Sequence, residues 1–223
     1  KTREPGIAER LELAFGDLRL QSREIDVGDA EDAIEACYER GWGDGLPVVP
    51  PTPVRVLRML KGTSRAPDTV VAEGMLPEGH RATIEDVATI AVMAGARPEF
   101  LPVILATATM LADQRLEPFT RSVNSFAFAQ LVSGPYAEHI GMNGRGGALS
   151  PGNQANAAIG RCLHLMLRNL GGAREGFSVS QAQGNPMSWA LAFTENTESP
   201  WPHYSTRQGF DAGQTTVTLF AGA

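Results

Sequence analysis

Cysteine is nearly missing: only Cys37 and Cys162 occur among 223 residues. Two thiols cannot build a disulfide framework or a Cys-rich zinc module, and the lack of a Cys-x-x-Cys pair leaves thioredoxin-like exchange within the chain unsupported. Nothing in this count asks for an oxidising compartment, so the default expectation is cytoplasmic. Positive charge is also in short supply. Lys and Arg number 19 against 25 Asp and Glu, for a formal net charge of -6 and a sequence pI near 5.3. The footprint of a general nucleic-acid binder is therefore missing. Long apolar runs are absent as well. The most apolar stretch, residues 87–112, is cut by Arg97, Pro98 and Glu99, and each part falls short of the roughly 18 residues that a bilayer span needs. The opening KTREPGIAERLELAF has no apolar signal core, so neither a targeting peptide nor a membrane partner is expected.

The chain does hold 43% hydrophobic and 20% charged residues with 24 Gly and 15 Pro, the composition of a globular, loop-rich protein. We expect a charged N-terminal arm over residues 1–27, with a helix at 7–20. Residues 28–223 then form one globular domain, α+β or mixed α/β, in which a mixed sheet is flanked by helices. A helix over 29–40 should pack Ala33, Ile34, Cys37 and Tyr38 on one face behind an acidic first turn. GWGDGLPVVPP must be a shaped loop, since its glycines and prolines suit neither a helix nor a central strand.

Pro53 behind Thr52 opens a helix that stops at Gly62. A short strand is expected at 69–73, and Thr83 then starts an apolar helix through Ala94. Pro98 starts another, PEFLPVILATATMLAD, pairing with the previous one as a hairpin. Residues 125–132 read as a strand that runs into the glycine-rich loop GMNGRGGALSPGN. A helix over 153–170 follows, packing Ala157, Ala158, Cys162, Leu165 and Met166. Strands are expected at 188–194 and 215–220.

The strongest chemical signal is GMNGRGGALSPGNQANAAIGR at residues 141–161. It delivers backbone amides and Asn side chains to a helix start, where unpaired N–H groups and the positive dipole end suit an anion. Gly147, Ser150, Asn143, Asn153 and Asn156 are the candidate substrate-binding residues. The plain alternative is a helix N-cap after a tight turn, with Ser150 or Asn153 as the cap. Neither a Walker A loop nor a GxGxxG fingerprint is present, so no nucleotide is indicated and no motif names a cofactor. A second signal is FTENTESPWPHY at 193–204, where Glu195 and Asn196 leave a strand and enter a loop holding Glu198, Trp201 and His203. Glu195 is a candidate catalytic residue, with Asn196 and Trp201 beside the substrate, although solvated surface residues would read the same way.

His80, His139, His164 and His203 show no short-range pair of the kind a metal site needs, so no metal ligand is assigned. His80, ahead of a helix, is the favoured proton-transfer candidate among the histidines and joins Glu195 as a candidate catalytic residue; a solvated His is its rival reading. Both cysteines fall on predicted packed faces, where a thiol behaves as a small hydrophobe. No Gly-x-Ser-x-Gly elbow is found, which removes the usual serine hydrolase.

GDGLPVVPPT (residues 43–52), MAGARPEFLPVILA (93–106), GALSPGNQANAAIGR (147–161), NLGGAR (169–174) and ENTESPWP (195–202) together resemble the larger part of the UGSC-type (seleno)protein family. The resemblance runs over most of the chain from Trp42 onward. It implies thiol-redox chemistry resting on a Cys-or-selenocysteine Gly-Ser-Cys motif, which this sequence lacks. Cys37 precedes Tyr38 and Cys162 precedes Leu163, so neither carries that role over.

The expectation is an enzyme subunit, of oxidoreductase or lyase type. It binds a small anionic metabolite between the 143–156 loop and the Glu195 loop. Its redox-linked or bond-cleaving chemistry is completed by a partner subunit that carries the redox Cys motif, in an oligomer. A stand-alone hydrolase or lyase acting on a carbon–heteroatom bond, and a non-catalytic scaffold subunit, are the alternatives.

Overall fold

Helix starts follow the capping chemistry of the sequence in the computed structural model, which describes residues 20–28, 32–189 and 191–222. The expected helix at 7–20 lies, but for Leu20, outside the described residues. Helix α1, Ala33–Glu39, begins where the Asp32 carboxylate accepts from the N–H groups of Ile34 and Glu35. It buries Ala36 and Cys37, while Ile34 and Tyr38 are 44% and 54% exposed. The expected packed face is thus rotated toward the small Ala36. Helix α2, Pro53–Leu60, starts on its proline and buries Val56, Leu57, Met59 and Leu60.

Strands β1, Val70–Met75, and β2, His80–Thr83, form an antiparallel hairpin. His80 therefore opens a strand that the sequence reading missed. Thr83 and Asp86 close a capping box at the start of α3, Ile84–Met93, satisfying two orphan N–H groups reciprocally. After a 3-10 turn at Pro98–Phe100, α4, Leu101–Met110, takes Pro102 in its first turn, where a missing N–H costs nothing. The expected hairpin partners α3 and α4 pack on each other, and both pack on the long helix α7, Gln154–Asn169. Ten residues of α7 are buried. A full Leu or Met burial contributes roughly 1.5–3 kcal/mol, so this helix is the axis of the core. Ala157, expected on its packed side, faces solvent.

The remaining elements are α5, Glu117–Thr120; β3, Phe128–Ser133; α6, Pro135–His139; β4, Ala192–Thr194; α8, Tyr204–Arg207; and β5, Thr216–Ala221. A three-stranded sheet has the order β4-β3-β5, with β3 parallel to β4 and antiparallel to β5. This is the expected mixed sheet flanked by helices, in a single α+β fold. Every residue of β3 is buried, as suits a central strand covered on both faces. The strand expected at 188–194 shortens to β4, because Asn185 caps a 3-10 turn at Pro186–Ser188. Among the described residues no helix is long and apolar enough to cross a membrane.

Candidate functional site

Parallel strands β3 and β4 end side by side, Val132 pairing with Thr194, and the next residue is Glu195. Its Oε2 accepts a 2.6 Å hydrogen bond from Ser133 Oγ, and its Oε1 accepts from the Tyr204 N–H at 2.8 Å. His203 Nδ1 lies 3.6 Å from Oε2, beyond direct hydrogen bonding but close enough to move in. The side chains of His203 and Glu195 are 31% and 25% exposed, so the carboxylate is held firmly yet reachable. In open parallel α/β sheets ligands bind outside the carboxyl ends of the strands, the position that Glu195 takes beside this one parallel pair.

The glycine-rich loop lands on this carboxylate's backbone. A Cβ on Gly144 would stand 2.4 Å from the Glu195 carbonyl oxygen, so glycine is required for the close approach. Arg145 reaches across to Glu198 at 2.7 Å in an exposed ion pair. The two loops singled out in the sequence therefore meet.

Within the loop the asparagines turn inward. Asn156 Oδ1 accepts from the Asn143 N–H at 3.0 Å, while its Nδ2 donates to the carbonyls of Asn143 and Ala148. Asn143 Oδ1 accepts from the Arg145 N–H, and its Nδ2 donates to the Gly146 carbonyl. Asn153 caps α7 through the Asn156 N–H and donates Nδ2 to the Gly141 carbonyl. These three side chains hold the loop's own shape, and Asn153 does what the N-cap alternative expected.

The other candidates are scattered around this frame. Gly147 has a positive φ of 75°, and its carbonyl accepts from the Ser150 N–H, with Ser150 exposed. Asn196 Oδ1 accepts from the Glu198 N–H at 3.0 Å, and Trp201 is 78% exposed. His80 is apart from all of them. Its Nδ1 sits 3.2 Å from the Leu170 carbonyl, just past the C-terminus of α7, whereas the loop meets its N-terminus. Sixteen helical residues separate these ends by about 24 Å, so His80 and Glu195 do not share a site.

Sequence reasoning missed the polar stripe along α7. Arg161 Nε and Nη2 each donate to Asp44 at 2.8 Å, and Nη2 also reaches the Leu46 and Pro47 carbonyls. This pins GDGLP to the central helix. Burial pushes the Asp44 carboxyl up, but the hydrogen bonds and charge of Arg161, with backbone N–H groups, outweigh it and hold the pKa below the ordinary range. Burial lowers the His164 pKa to about 4 against a partial opposing pull from Asp44, so the ring is neutral at pH 7. The available signal was charged and imidazole side chains at positions 161, 164 and 168, on one face of a mostly buried helix. Also missed was Glu85, whose buried carboxylate accepts from the N–H groups of Gln21 and Ser22 at 2.8–3.0 Å.

Both thiols are buried. Burial raises the pKa of each, Cys37 and Cys162, disfavouring the nucleophilic thiolate. No group of three or more His, Cys, Asp and Glu side chains among the described residues could hold a metal ion. Comparison with family models, with curated proteins and with solved structures finds no match to this chain.

Proposed function

We propose that the chain is a subunit of an enzyme that cleaves a carbon–heteroatom bond in a small anionic metabolite by acid–base catalysis, with Glu195 as the proton-moving group. The observation that carries this reading is that the glycine-rich loop packs on the main chain of Glu195, whose carboxylate is held at the paired carboxyl ends of β3 and β4. Ser133 and the Tyr204 N–H fix the carboxylate without closing it off. Arg145, in an exposed pair that exchanges at little cost, and the positive end of α7 supply the attraction for an anion.

In the proposed step the Glu195 carboxylate takes a proton from the carbon beside the substrate's carboxylate. The electron pair left behind forms a carbon–carbon double bond and expels the heteroatom from the adjacent carbon. His203, 3.6 Å from that carboxylate, returns a proton to the departing group. General acid–base groups of this kind contribute about a hundredfold or more to rate.

Leu149 and Trp201 are 69% and 78% exposed and sit on the two loops that meet here. In this reading a partner subunit covers these side chains and completes the site. With Cys37 and Cys162 buried, any redox thiol of the kind the family resemblance implies would come from that partner.

The test is proton exchange: the purified protein is incubated in D2O with a panel of small hydroxy- and amino-carboxylic acids, and loss of the α-C–H signal is followed by NMR. We expect exchange or elimination with at least one acid, slowed about a hundredfold in Glu195→Gln at unchanged melting temperature. Equal rates in the two folded proteins would refute the role of Glu195.

A further inference from the structure

At the other end of the sheet a cleft of about 510 Å³ opens along the C-terminal half of α7. Phe128, the first residue of β3, lies on its wall, about 17 Å along the strand from Ser133. It is therefore separate from the Glu195 site. Phe126, Phe128 and Trp189 give it flat apolar walls, and Asp44, His164, Arg168 and Glu175 give it polar ones.

The charge balance of those polar walls is unequal. Asp44 is already taken up by both arms of Arg161, and His164 is neutral, its Nε2 sealed from water with no hydrogen-bond partner. Arg168 spends Nη1 alone, on both oxygens of Glu175 at 2.8 and 2.9 Å. Its Nε is sealed without a partner, and among the described residues no acceptor is bonded to Nη2. The Nε–Nη2 edge is the side of a guanidinium that matches a carboxylate with two parallel bonds. Glu175, whose side chain is 78% exposed, holds Arg168 only by a surface pair, which contributes little. A buried donor left empty is costly, so Arg168 is set to exchange Glu175 for an anion that brings its own apolar surface.

We propose that this cleft binds a small monocarboxylate with a flat apolar body, gripped by the Nε–Nη2 edge of Arg168 and stacked between the aromatic walls. His164 backs the inner edge of the ligand as a neutral ring. Binding turns Arg168 away from Glu175, which swings into solvent.

Benzoate is the probe, with benzamide as its uncharged counterpart, titrated into the whole chain by calorimetry and by ¹H–¹⁵N spectra. Wild type binds benzoate in the millimolar range or tighter and binds benzamide at least about tenfold more weakly. Arg168→Gln and Arg168→Lys both lose affinity by about tenfold or more, since Lys keeps the charge but not the fork. Glu175→Gln, which removes the competing carboxylate, binds benzoate more tightly than wild type, a gain that a merely structural Arg168–Glu175 pair would not produce. Glu195→Gln leaves benzoate affinity unchanged, which keeps this test apart from that of the acid–base site. The proposal is overturned if neither wild type nor Glu175→Gln binds benzoate, if the Arg168 variants retain wild-type affinity, or if Glu195→Gln abolishes binding.

Discussion

Replacing Asp44 by Ala tests how the loop GDGLP is tied to the core. Asp44 and Arg161 side chains are only 15% and 17% exposed, so losing the carboxylate leaves a guanidinium charge largely out of water. Breaking a buried pair from one side costs about 3–5 kcal/mol. The Leu46 and Pro47 carbonyls still accept from Arg161 and the pair is not fully sealed, so we expect the lower end, about 3 kcal/mol. For a chain of this length that corresponds to a fall in melting temperature of roughly 6–12 °C. Urea unfolding at pH 7 measures it, with the double variant Asp44→Leu/Arg161→Met recovering most of the loss because the orphaned charge is gone. The effect also has a pH signature. The folded-state pKa of Asp44 is depressed, so its stabilisation is fully present above the unfolded carboxylate pKa and is lost as pH falls through the folded value. Wild type and Asp44→Ala should therefore converge in strong acid. A loss below about 0.5 kcal/mol at pH 7, or a double variant as unstable as the single, would refute the reasoning.

His164 acts over a different pH window. Its folded pKa of about 4 lies below the ordinary 6.5, so the unfolded chain binds the proton more strongly. Stability is intact above about pH 6.5 and erodes as pH falls toward 4, by a total of about 3 kcal/mol; His164→Leu should flatten that slope in urea titrations across the range. Gly171→Ala would place a methyl carbon 1.8 Å from the Leu76 carbonyl oxygen and 2.7 Å from that of Leu167. A loss of about 3 kcal/mol is expected from such crowding. Gly146→Ala, with nothing within 4 Å, should stay within about 0.5 kcal/mol of wild type in the same unfolding assay.

Local chemistry was legible wherever one residue decides one bond. Pro53 starts α2, Thr83 starts α3 and Asn153 caps α7, because a cap acts over three or four neighbouring positions and needs no distant partner. The strand at 188–194 was overread, since its apolar residues are also those of a proline-led turn whose cap, Asn185, is equally polar in either conformation. The short hairpin strand β2 was missed for the opposite reason. HRAT has no alternation to betray it, and its pairing comes from β1.

The candidate site divides in the same way. That Glu195 leaves a strand end, and that 141–153 is a glycine-shaped loop before a helix, are properties of contiguous residues. That the loop rests on Glu195 through Gly144, that the asparagines satisfy one another inside it, and that His80 belongs to the far end of α7 depend on contacts between residues distant in the chain.

Composition, capping residues and apolar periodicity were enough to determine a globular α+β chain with a buried helix behind the glycine-rich loop, because burial and helix initiation are governed by nearest neighbours and by each side chain's own solvation. The assignment of each polar side chain to a partner was decided only by the tertiary structure. Asp44 and Arg161 are 117 residues apart in the chain and Ser133 and Glu195 are 62 apart. Hydrogen bonds and ion pairs form over a few ångströms of space whatever the separation in sequence, so only the packed chain specifies which of them are made.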